Sequence, residues 1–232
     1  MSPETPSPRE PRRHLALALD VPDESAALDL AGELAEYFSL VKVGFELFVA
    51  AGPPVVRALV AEGFAVFLDL KLHDIPNTVR NGAARAAALG VTYLTAHVAG
   101  GGAMLEAAVA GFASESALEG AGILGVTVLT SDKEATPALL VERAELAATS
   151  GCAGLVCAGG DLALLPPAAG RLVKVVPGVR LPGSSADDQA RTATPSSALA
   201  AGGDILVIGR TVTKAQDRRA AAAAVAASLA GI

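Results

Sequence analysis

A chain of 232 residues, 52% of them hydrophobic, has enough apolar surface to bury a large core, as one big domain or two small ones. A net charge of −6 with 3% aromatic residues supplies neither a basic stripe nor many stacking platforms, which argues against nucleic acid as a partner. The two cysteines, Cys152 and Cys157, are spaced C-x4-C with no second pair, so neither a disulfide framework nor a structural zinc site is expected, and a reducing cytoplasm fits best.

Residues 1–13 are rich in proline and charge, cannot bury themselves, and are expected to form a disordered tail. The "LALAL" that follows is too short for a signal-peptide core or a membrane span, so no membrane contact is expected. Short apolar runs bounded by turn residues then recur at 15–20, 39–44, 64–72, 91–98, 122–130, 153–158, 172–178 and 204–210. Between them stand Ala/Leu/Glu-rich stretches of helical character, such as 24–38, 77–89, 136–150 and 215–232. Starts separated by roughly 20 to 30 residues match one strand, loop and crossover helix. The pattern predicts an α/β chain, a single (β/α)8 barrel over 14–232. A doubly wound sheet of this length would more often show five or six strands.

In such a barrel the chemistry sits where the strands end. The runs close with Asp20, Lys42, Asp69 with Lys71, His97 and Thr130, then Arg180 just past the seventh, and Gly209 with Arg210 at the eighth. Alternation places Phe67, Asp69 and Lys71 on one face of the third strand and Val66, Leu68, Leu70 and Leu72 on the other, so the charged face is the interior one. Ala16, Ala18 and Asp20 share a face in the same way, as do Thr95 and His97. His97 either lines the site or is a satisfied interior histidine. Asp74 lies beyond the strand, up to ~17 Å from Asp69, and its direction stays open.

A carboxylate about 4 Å from an ammonium favours its charged form by ~4 kcal/mol at an effective dielectric near 20, before desolvation is subtracted. A lysine among carboxylates is therefore an acid and not a Schiff-base nucleophile. It suits a reaction that develops negative charge on carbon and then delivers a proton there, such as decarboxylation or retro-aldol cleavage. Gly178, Arg180, Gly209 and Arg210 fall where barrels of this type bind phosphate, so a phosphorylated small molecule is the expected ligand.

The segments "LALD", "VKVG", "DLKLHDIPNTV", "VTVLTS", "PGVR", "DDQAR" and "IGR" follow the order and spacing of the orotidine 5′-phosphate decarboxylase family, which the chain resembles from about residue 15 onward. The resemblance implies conversion of orotidine 5′-phosphate to UMP and CO2, the last step of de novo pyrimidine synthesis, with neither cofactor nor metal. Lys71 would protonate C6 as CO2 leaves, with Asp69 against the departing carboxylate. Asp20 and Lys42 would hold ribose hydroxyls, Thr130 would lie by the pyrimidine, and Gln189 would bridge base and phosphate. Arg180, Gly209 and Arg210 would line the phosphate. The family is dimeric, which implies a homodimer with Asp74, Ile75 and Thr78 reaching into the partner's site. Thr211 stands where the family usually has proline.

Two other readings compete. Magnesium-dependent lyases of sugar phosphates also carry the aspartate, lysine, aspartate pattern, but with a metal-binding glutamate where this chain has Lys42, and a lysine there repels a divalent cation. A barrel that only binds a nucleotide or sugar phosphate is the other, yet it has no need of an interior lysine between carboxylates.

Overall fold

The computed structural model describes residues 9–129, 132, 135–181 and 193–229. Among these, eight parallel strands close a barrel in chain order: β1 (Leu15–Ala18), β2 (Leu40–Gly44), β3 (Ala65–Leu72), β4 (Tyr93–His97), β5 (Gly122–Val126), β6 (Gly154–Val156), β7 (Val173–Val176) and β8 (Ile205–Ile208). β8 returns to pair with β1 through Ala16 opposite Val207. The eight-strand expectation therefore holds, although six of the strands, β2 and β3 excepted, end earlier than the apolar runs do. Asp20, for instance, lies past the end of β1 and belongs to the rim.

Both faces of every strand are covered, which is why the runs read as nearly continuous apolar sequence. Leu17, Val41, Val43, Leu68, Leu94, Leu155 and Leu206 point outward into a core shared with the helices. Ala16, Ala18, Leu40, Phe67, Leu124 and Val207 point inward and fill the barrel. The helices are α1 (Arg9–Arg12), α2 (Glu24–Glu33), α3 (Phe45–Ala61), α4 (Pro76–Ala87), α5 (Gly102–Ala113), α6 (Pro137–Thr149), α7 (Pro195–Ala200), α8 (Arg210–Thr213) and α9 (Arg218–Ala227). Asp23, Thr136, Thr194 and Asp217 cap α2, α6, α7 and α9 by accepting from backbone N–H groups of the first turn. α3 bends where Gly52 leaves helical dihedrals ahead of Pro53 and Pro54, which lack the N–H that an unbroken ladder needs.

Two local features differ from expectation. The stretch Arg9–Arg12, placed in a disordered tail by composition, forms a helical turn; the Arg12 carbonyl accepts from Ser39 Oγ at 3.4 Å, and His14 donates from Nδ1 to the Asp204 carbonyl at 2.8 Å. These contacts tie the turn and the start of β1 to the barrel; the rest of the expected tail, 1–8, lies outside the described residues. After β6 the connection runs through two 3-10 turns, Gly159–Leu164 and Pro167–Arg171, because Gly159, Gly160, Pro166 and Pro167 interrupt any longer helix. Among the described residues, no helix is long and apolar enough to cross a membrane.

Candidate active site

The C-terminal end of β3 departs from regular pairing. Leu68 faces Leu94 and Leu72 faces Ala96, which leaves Asp69, Leu70 and Lys71 opposite Thr95 alone. Lys71 sits at φ 51°, among the described residues the one non-glycine at positive φ, a conformation that costs about 1–3 kcal/mol. Both charged side chains face the barrel interior. Lys71 Nζ donates to Asp69 Oδ1 and Oδ2, each at 2.8 Å. Thr95 Oγ1 donates to Asp69 Oδ1 at 3.0 Å and accepts from the Lys71 backbone N–H at 2.8 Å. Lys42 Nζ lies 3.9 Å from Asp69 Oδ2 and 3.2 Å from Asp20 Oδ1. The Asp69 side chain is only 13% exposed, and a carboxylate so far withdrawn from water is tolerable because each oxygen has a cation or hydroxyl against it. Gly44 makes room for this cluster, since a Cβ there would come within 2.9 Å of Lys42 Nζ.

Asp20, Lys42, Asp69 and Lys71 line a cavity of about 440 Å3, a volume within the range that small-molecule sites use. Phe67, Val126, Val156, Cys157 and Val207 supply an apolar lining. Arg180, Gly209 and Arg210 line it as well, with Gly178 and Thr211. In the closed ring β7 lies four strands from β3, so Arg180, just past β7, stands across the barrel from Lys71. The cavity therefore has an ammonium–carboxylate cluster at the ends of β1 to β3, arginines past β7 and β8, and an apolar lining. A ligand with an anionic end and a flat apolar body matches that arrangement.

The structure brings together Asp20, Lys42, Asp69, Lys71, Arg180, Gly209 and Arg210 from the residues singled out in the sequence. It does not bring Asp74, Ile75 or Thr78 into this cavity. All three are exposed, and Asp74 Oδ1 accepts from the Ile75 N–H at 2.6 Å at the start of α4. Thr130 and Gln189 lie outside the described residues. His97 does not line the cavity; its ring packs on His73 with centroids 5.6 Å apart. The apolar wall, Thr211 and the hydroxyl of Thr95 were not singled out as site residues from sequence. Alternation had already turned Thr95 inward, but only the bulge shows what its hydroxyl meets. Burial pushes the Cys157 and Cys152 thiols up to about 12, so Cys157 borders the cavity as a small apolar group and not as a nucleophile.

The chain matches, over residues 13–225, the family model described as orotidine 5′-phosphate decarboxylase / HUMPS family. It is 46% identical over 231 residues to the orotidine 5′-phosphate decarboxylase of Anaeromyxobacter sp. (strain K), an alignment covering 95% of this chain and 100% of that one. The same-named protein of Halorhodospira halophila (strain DSM 244 / SL1) is 47% identical over 235 residues, covering 96% and 98%. The crystal structure of orotidine 5′-phosphate decarboxylase from Lactobacillus acidophilus superposes with a TM-score of 0.80 at 32% identity, covering 94% of this chain and 100% of that one. The match over nearly the whole barrel, together with these full-length relatives, places the chain in the orotidine 5′-phosphate decarboxylase / HUMPS family.

Proposed function

We propose that the chain decarboxylates orotidine 5′-phosphate to UMP and CO2, as a carbon–carbon lyase of pyrimidine biosynthesis, with Lys71 as the acid and Asp69 and Asp74 as its charged partners. The observation that carries this reading is the Lys71 ammonium held by both Asp69 oxygens at the wall of a cavity that also carries two arginines. The phosphate binds at Arg180, Arg210 and the Gly209 peptide, and the ribose hydroxyls at Asp20 and Lys42. Thr130 and Gln189 are assigned to the base and to the bridge between base and phosphate. As the bond from C6 to the carboxylate breaks, its electron pair stays on C6 and CO2 departs beside Asp69. The Lys71 ammonium then transfers a proton to C6, and the resulting amine regains one from solvent. Cations fixed beside the developing charge need little reorganisation at that moment.

The working form in this reading is a homodimer in which Asp74, Ile75 and Thr78 complete the partner's site. Their exposure in the single chain supports it, as do the exposed Phe45 and Val49 on α3, which follows the strand adjacent to β3. Two free, buried thiols accord with a reducing cytoplasm.

Lys42 favours this reading over a metal-dependent sugar-phosphate lyase. Its ammonium places a positive charge between Asp20 and Asp69, where those carboxylates would otherwise attract a divalent cation. The test is the loss of orotidine 5′-phosphate absorbance with protein stripped of metal and assayed in EDTA. Full turnover is expected; no turnover of orotidine 5′-phosphate, together with magnesium-dependent cleavage of a sugar phosphate that chelation abolishes, would instead identify the lyase.

A further inference from the structure

We propose that Thr95 is a positioning residue for the reaction: its hydroxyl locks the β3 bulge and so fixes the Lys71 ammonium against Asp69. The inference rests on the reading of Lys71 as the acid. Where Asp69, Leu70 and Lys71 stand opposite one residue of β4, the regular ladder has no partner to offer the Lys71 N–H. Thr95 Oγ1 takes that N–H at 2.8 Å. An N–H cannot accept, so the single hydroxyl proton is free to go the other way, to Asp69 Oδ1 at 3.0 Å. Asp69 in turn accepts twice from Lys71 Nζ. The result is a closed ring of contacts from Lys71 main chain through Thr95 and Asp69 back to the Lys71 side chain.

Thr95 is 0% exposed, so water does not readily substitute for its hydroxyl. Without that hydroxyl, the Lys71 backbone loses what holds it at φ 51°, and the Asp69 carboxylate is free to rotate about its side chain. Both changes move the ammonium relative to C6. Neither involves Arg180 or Arg210, the arginines past β7 and β8 to which the phosphate is assigned. The effect therefore falls on kcat, whereas a threonine that merely packed would alter stability and ligand affinity together.

The experiment compares Thr95→Val, which keeps the shape and removes the hydroxyl, with Thr95→Ser, which keeps the hydroxyl, and runs Lys71→Ala in parallel. kcat for orotidine 5′-phosphate, affinity for UMP and thermal midpoint are measured for each. Thr95→Val is expected to lose about 10- to 100-fold in kcat, with UMP affinity changed by no more than about threefold, and Thr95→Ser to recover most of the lost rate. The proposal is overturned if Thr95→Val turns over like the native enzyme while Lys71→Ala is dead, or if Thr95→Ser folds and is as slow as Thr95→Val. Should Thr95→Val not fold, Thr95→Ser decides alone: near-native kcat is required, and a folded, slow serine variant refutes the role. Retained turnover in Lys71→Ala would instead remove the reading on which the proposal rests.

Discussion

Burial lowers the His97 pKa from its ordinary 6.5, and the nearby His73, Lys71 and Arg143 lower it further, with Asp69 opposing. The folded chain thus keeps this imidazole neutral at pH values where the unfolded chain protonates it. Its contribution to stability is complete above 6.5 and is lost as the pH falls from 6.5 towards the folded value, below which it changes no further. Denaturant unfolding of His97→Asn should therefore lose less stability on acidification than the native chain does, and a ring titration midpoint above 6.5 in the native protein would contradict the account. Sequence alone left His97 between two roles, because alternation gives the direction of a side chain and not its neighbour. The cavity lining leaves His97 out, and the His73 ring that packs on it comes from the turn after β3. Asp69 and Lys71 were legible for the opposite reason: charges that interrupt the inward face of an apolar run have few places to go other than the site at the rim.

The end of β3 shows what a strand pattern can and cannot carry. The bulge adds two residues relative to β4, and an even number leaves every later side chain on the face that simple alternation assigns. The predicted faces were therefore right, while the bulge, the positive φ of Lys71 and the bridging hydroxyl of Thr95 were invisible. Strand ends were overestimated because leucine and valine continue past the last ladder bond into rim loops, as at Val128. The sixth unit was misjudged only in lacking a crossover α-helix, where closely spaced glycines and prolines leave room for 3-10 turns. Helix packing around the barrel makes its own prediction. α4 and α5 approach so closely that a Cβ on Gly111 would collide with the Arg80 carbonyl, a backbone atom that cannot swing aside. Gly111→Ala should cost about 1–3 kcal/mol in denaturant unfolding, despite alanine's higher helix propensity. Unchanged stability would show that the two helices can separate at no cost.

For the whole molecule, the barrel supplies rigidity and the proposed dimer supplies completeness. Eight strands hold Lys71 and Arg180 on opposite walls of one cavity, a spacing set by closure of the ring and not by any single contact. In the proposed dimer Asp74, exposed in the single chain, meets the Lys71 of the second copy. Mixing inactive Lys71→Ala with inactive Asp74→Asn, under conditions that exchange subunits, should then restore about a quarter of native activity, since half of the dimers are mixed and each has one intact site. No recovery, with exchange verified, would place both residues in the same subunit's site. The proton-delivery role of Lys71 is tested most directly by the turnover of Lys71→Ala on orotidine 5′-phosphate, with UMP affinity measured on the same preparation. The account predicts a loss of about 10²- to 10⁴-fold in kcat, with UMP still bound. Near-native turnover in that variant would contradict it.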